Sequence, residues 1–197
     1  MKSRITPISE AIRLVCVSFL LVHSVTASEV NLPAPSEGDL RISADVSSFF
    51  LRNGTRFEEI SFRFATHQFE FRKQASGKFL ARYEPNLEIR DASGNVVKEL
   101  RGANRLELSE SETREKDRLY YDMVQVQLPP GSYTARLRIL DLHSGKSGTR
   151  TFPIDAESTT PGRLIASDIY IASTIDARGT NDIFKKGNHA ILPNPTR

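Results

Sequence analysis

The chain has 197 residues, with 27 lysines and arginines against 24 acidic residues, 11 phenylalanines, one cysteine and no tryptophan. That length can bury one sizeable core. A formal net charge of +3 does not by itself make a nucleic-acid patch, and a lone cysteine excludes an internal disulfide.

Residues 1–27 read as a secretory signal peptide. Lys2, Arg4 and Arg13 form a basic start, and Leu14 to Val22 is apolar apart from Ser18. Val25-Thr26-Ala27 then sets small residues before a cleavage point at Ser28. The apolar run falls well short of the about 20 residues that a membrane span needs. Cys16 follows Val15 rather than a small residue, which argues against lipidation. The signal holds three of the 27 bases and one of the 24 acids, so the remainder keeps 24 against 23, a net charge of +1, with no cysteine. The expected product is exported to the periplasm, the cell envelope or the medium, with no membrane span after the signal.

Residues 28–39, with Pro33, Pro35 and Gly38, read as a flexible polar leader. An antiparallel β-sandwich is expected over 40–156. Leu40 to Leu51 is strand-like, and Asn53-Gly54 is a favoured hairpin turn. Phe57 to Phe64 alternates, with Ile60, Phe62 and Phe64 on one face and Ser61 and Arg63 on the other. Thr66-His67-Gln68 interrupts the run, and Phe69 and Phe71 resume it on the opposite parity, which predicts a bulge or bend.

Lys78 to Arg90 alternates longest, and Pro85 within it predicts an edge position or a bulge. Ser93-Gly94-Asn95 turns the chain into Val96 to Leu100. Asn104 to Asp117 is rich in charge and fits either a short helix or a solvated loop. Leu119 to Leu128 is a strand with Val124, Val126 and Leu128 on one face.

Pro130-Gly131 turns the chain into the strand on which the sandwich is centred, with Tyr133, Ala135, Leu137 and Ile139 on its buried face. A tyrosine heading a core strand after such a turn fits the tyrosine corner of immunoglobulin-like sandwiches. His143 to Gly148 is the next hairpin connection, and Thr149 to Ile154 the last strand. Turns every ten or so residues predict an all-β, immunoglobulin-like antiparallel fold. Residues 157–163 read as a linker. Residues 164–197 form a separate C-terminal segment, in which Ile169, Ile171 and Ile175 predict one strand and His189 to Leu192 another. Ile169, Ile171, Phe184 and Leu192 are expected to pack it on the sandwich or on a partner.

No catalytic, cofactor-binding or metal site can be assembled from the motifs. Gly145-Lys146-Ser147 resembles the end of a phosphate loop, but Leu140 stands where the first glycine belongs and a strand follows instead of a helix. His67, His143 and His189 show no metal-ligand spacing. Asp168, Asp176, Asn181 and Asp182 are oxygen-rich without the spacing of a calcium loop, and turn chemistry accounts for them. Asn53-Gly54-Thr55 fits a glycosylation acceptor as well as a turn. The phenylalanines are expected on the inward parity, as core. A non-catalytic protein-binding or scaffold module working through sheet edges or the C-terminal segment is the first reading. The alternatives are a carbohydrate-binding accessory module using Tyr120, Tyr121 and Tyr170, and a fragment of a larger exported enzyme.

Phe57-Glu58-Glu59-Ile60-Ser61-Phe62, Leu128-Pro129-Pro130-Gly131-Ser132-Tyr133, Ser167-Asp168-Ile169, Phe184-Lys185-Lys186-Gly187 and Pro193-Asn194-Pro195 occur in that order. Together they resemble the N-terminal half of bacterial GWxTD domain-containing proteins, exported and largely uncharacterised, over roughly residues 40–197. Without a tryptophan the Gly-Trp-x-Thr-Asp signature is absent. The resemblance therefore implies a short or truncated member, and it implies no catalytic residues.

Overall fold

The computed structural model describes residues 36–50, 56–156, 166–177, 184–186 and 189–195. The signal, the Asn53-Gly54 turn and the 157–163 linker lie outside them. Within them the chain is an antiparallel β-sandwich of immunoglobulin-like order. One sheet holds β2 (Ile42–Phe50), β3 (Arg56–Ala65) and β8 (Leu119–Val126), in that order. The other runs β1 (Glu37–Gly38), β10 (Ser147–Ala156), β9 (Gly131–Asp141) and β5 (Phe79–Asp91). The strands β4 (Arg72–Lys73), β6 (Val96–Arg101) and β7 (Asn104–Leu108) also pair with β5.

Period-two alternation places the core. Ile60, Phe62 and Phe64 of β3 meet Ala81, Tyr83, Leu87 and Ile89 of β5 and Ala135, Leu137 and Ile139 of β9, all buried. Tyr133 begins β9, and its hydroxyl donates to Pro129 O at 2.8 Å. It reaches back four residues across the β8–β9 connection, which is the geometry of a tyrosine corner. Toward the other end of β9, where Tyr83 pairs with Asp141, the aromatic rings of Phe64, Phe69, Tyr83 and Tyr120 pack with centroids 4.5 to 6.0 Å apart.

Several details depart from the sequence reading. The leader does not stay polar and free up to Asp39: Glu37 and Gly38 pair with Thr149 and Gly148. The approach is so close that a Cβ on Gly148 would lie 2.1 Å from Leu40 O. Pro85 sits in a central strand, not on an edge. Facing Ile139 on one side, it falls on the other in the gap where β7 ends at Tyr83 and β6 begins at Asn86. Gly102 N–H donates to Pro85 O at 2.9 Å, and the return bond that Pro85 cannot give is missing where the neighbouring strand divides into β6 and β7.

The charged stretch 104–117 divides into strand β7 and a one-turn helix, α1 (Glu110–Thr113). A capping box holds α1: Ser109 N–H donates to Glu112 Oε2 at 2.7 Å, and Glu112 N–H to Ser109 Oγ at 3.4 Å. The predicted break at Thr66–Gln68 is a turn of 3₁₀ helix.

The C-terminal segment contributes its own antiparallel sheet, β11 (Ala172–Asp176), β13 (His189–Pro193) and β12 (Lys185–Lys186), with β13 in the middle. Ile169 and Ile171 precede β11 and are exposed, at 91% and 52%, so they do not pack this segment on the sandwich. Phe184 is buried.

Candidate functional site

The three-stranded sheet has two outer edges, and they differ. Alternate residues of an antiparallel strand turn both N–H and C=O to the same side. Along β2 four of the five outward N–H groups, all but that of Ala44, have partners among the described residues. Ile42 donates to Ser36 Oγ at 3.1 Å, Val46 to Asp45 Oδ1 at 3.0 Å, Ser48 to Asp168 Oδ2 at 2.8 Å and Phe50 to Ser167 Oγ at 3.2 Å. Asp168 N–H returns a bond to Ser48 O at 2.9 Å. The C-terminal segment thus closes this edge.

The edge of β8 is open. Met123 N–H donates to Asp122 Oδ1 at 2.8 Å, so the odd-numbered residues of β8 turn their main chain away from β3. Among the described residues no other hydrogen bond reaches that edge, and no strand pairs with it. The sequence from Leu119 to Val126 holds no proline or lysine, and its pairing with β3 runs without a bulge. Proline, lysine and bulges are among the devices that ordinarily blunt an edge, and the inward-pointing Asp122 is the one further such device that β8 carries.

The outer face of the same sheet is covered. Phe49 and Phe57 lie on it, stacked at 5.7 Å, contrary to the expectation that the phenylalanines face inward. They are shielded because Lys186 sits over the Phe49 ring at 4.5 Å and Tyr170 packs against that ring at 5.9 Å. On this face Glu59 is buried. Its Oε1 accepts from Gln125 Nε2 at 2.9 Å and from Lys186 Nζ. Its Oε2 is buried and meets no partner among the described residues. Burial, and then the Glu59 carboxylate, push the Tyr170 phenol up to about 12. Arg63 Nη1 donates to Asn194 Oδ1 at 3.1 Å, a further clasp on the C-terminal sheet.

Where β8 ends, a cleft of about 680 Å³ opens beside it, lined by Phe57, Glu59, Gln125, Val126 and Gln127 from the sheet, Lys98 and Leu100 from β6, and Lys185 and Lys186 from β12. Three ammonium groups and one carboxylate line it, and that carboxylate is already paired with Lys186. The cleft wraps the open edge, because Glu59 and Gln125 belong to the outer face whereas Val126 faces the core.

The residues singled out in the sequence are scattered. His67 lies in the 3₁₀ turn, His189 in β13, and His143 in the β9–β10 hairpin with Nδ1 2.9 Å from Glu70 O. Gly145-Lys146-Ser147 crosses that hairpin into β10. Asp168 guards the β2 edge, Asp176 ends β11, and Asn181 and Asp182 lie outside the described residues. Among the described residues no three His, Cys, Asp or Glu side chains converge as metal ligands would. Tyr120 is packed into the aromatic cluster and Tyr170 against Phe49, so neither ring is a free stacking platform. Sequence reasoning missed Glu59 and Lys186. The one available signal was a lone glutamate on the outward parity of a strand otherwise reading as core.

No protein-family model matches the chain, and no curated protein matches it. A solved X-ray structure, Northeast Structural Genomics Consortium target SoR45, is similar over 68% of this chain and 95% of its own, at 14% identity and a TM-score of 0.33.

Proposed function

We propose that the protein is an exported, non-catalytic β-sandwich module that binds a partner protein by accepting a strand on the open edge of β8. The observation that carries this reading is the contrast between the two edges. Of the five outward N–H groups of β2, four are taken by Ser36, Asp45, Ser167 and Asp168, whereas of the four residues of β8 that turn their main chain outward only Met123 has its N–H taken among the described residues. An added strand would supply the missing ladder partners, which is the source of affinity in strand addition. The signal-like residues 1–27 support export, and the order of motifs shared with GWxTD domain-containing proteins supports the same reading.

The test uses proline at outward-facing N–H positions, where it blocks an incoming strand yet leaves the pairing with β3 whole. Protein tagged, exported and cross-linked in its native envelope is expected to retain a partner that both Leu119→Pro and Tyr121→Pro release, with unchanged circular dichroism. Retention of the same partner by both variants would take β8 out of the reading. Turnover detected by activity profiling of the purified protein would overturn the non-catalytic assignment.

A further inference from the structure

We propose that the strand accepted by β8 is acidic, its carboxylates seated on Lys98 and Lys185. This inference rests on strand addition at β8 and specifies the chemistry of what is added.

A strand laid along the outer edge of β8 passes, at the Gln125–Gln127 end, through the cleft described above. Its side chains there meet Lys98 and Lys185, both exposed, and Lys186, half-buried. Lys186 is committed to Glu59 and to the Phe49 ring. Lys98 and Lys185 have no ion-pair partner among the described residues, so the cleft presents two positive charges that no described carboxylate matches. An acidic side chain complements them, and a basic one is repelled. The open edge of β8 asks for an extended main chain and the two lysines for negative side chains; an extended acidic peptide meets both requirements, and free phosphate meets only the second.

Synthetic peptides of alternating threonine and valine, carrying glutamates at both ends or lysines at both ends, serve as probes. Each is titrated against the intact exported protein by fluorescence polarisation, with the amide resonances of Tyr121 and Gln125 followed by NMR. The glutamate peptide is expected to bind at least about tenfold more tightly than the lysine peptide at low salt, and the difference to shrink as salt screens it. Lys98→Glu with Lys185→Glu should invert the preference, and Tyr121→Pro should abolish binding of both peptides. Equal binding of both peptides, lost in Tyr121→Pro, would overturn the acidic preference and leave strand addition standing. Glutamate-peptide binding that survives Tyr121→Pro would show a charge-only contact and overturn the seated strand. Absence of binding by either peptide would also overturn this proposal, while the envelope cross-linking experiment decides strand addition separately. Circular dichroism of each variant separates these results from unfolding.

Discussion

Tyr83 donates its hydroxyl to Asp122 Oδ2 at 2.7 Å, and because Tyr83 stands on β5 and Asp122 on β8, this one bond ties the two sheets together through the core. Asn104 Nδ2 reaches both groups, at 3.1 Å from the hydroxyl and 2.6 Å from the carboxylate. Burial, and then the charge of Asp122, push the Tyr83 phenol far above its ordinary range. Tyr83→Phe is therefore expected to cost about 2 kcal/mol in urea unfolding at pH 8, since a buried carboxylate loses a donor. The pH dependence has a definite sign. Folded Tyr83 keeps a proton that the unfolded chain releases near pH 10, so its contribution is complete below that pH. It declines above it by about 1.4 kcal/mol per unit. The variant should show the shallower alkaline decline, and equal slopes would count against the assignment.

At the other end of the pH range Asp141 is the group to watch. Its side chain is buried at the end of β9, where Oδ2 accepts from Glu70 N–H at 2.8 Å and from Ser144 Oγ, and Oδ1 accepts from His143 N–H at 3.0 Å. Burial acts to raise its pKa, but the Ser144, Glu70 and His143 bonds outweigh it and the carboxyl lies below its usual range. Its stabilisation is present above the unfolded value of about 3.9 and is lost as pH falls through the lower folded value. Asp141→Asn should cost on the order of 1–3 kcal/mol at pH 7. The gap between variant and parent should narrow at pH 3 in guanidinium melts. A constant gap would assign the effect to shape instead of charge.

Gly148 marks a contact that allows no side chain. Asp39 and Leu40 donate to Ser147 O at 2.8 and 3.2 Å, and this draws the chain across β10. With Leu40 O only 2.1 Å from where a Cβ would stand, the main chain itself would have to shift. Gly148→Ala should lower stability by about 1–3 kcal/mol and increase hydrogen exchange at Asp39 and Leu40. A melting temperature equal to the parent's would contradict the close approach.

The Lys186–Glu59 pair pins the C-terminal sheet to β3. Lys186→Met leaves Glu59 buried and charged with Gln125 as its remaining donor, and is expected to cost about 3 kcal/mol. Limited proteolysis should then cut within 166–195 sooner. Adding Glu59→Gln removes the stranded charge and should restore much of the loss, so the two changes should be far from additive. Additive losses would mean that the ion pair is incidental.

The sandwich was legible because burial follows parity. Ile60, Phe62 and Phe64, or Ala135, Leu137 and Ile139, need only their own strand to declare which face is inward. Tyr133 was legible for a similar reason, as its partner Pro129 lies four residues away. Pro85 misled because the rule that keeps proline at edges concerns a missing ladder bond, and where β6 and β7 divide the neighbouring position is a pairing fact. Phe49 and Phe57 misled because the face they occupy is shielded by Tyr170 and Lys186, more than 100 residues further along.

The sequence by itself determined the class of fold, the core faces and the turn that sets the tyrosine corner, since each depends on residues a few positions apart. Only the tertiary structure decided that β2 is closed and β8 open, and that Glu59 lies buried beside three lysines. Those properties come from which segments meet across the sheets, and alternation along one strand carries no information about its neighbours.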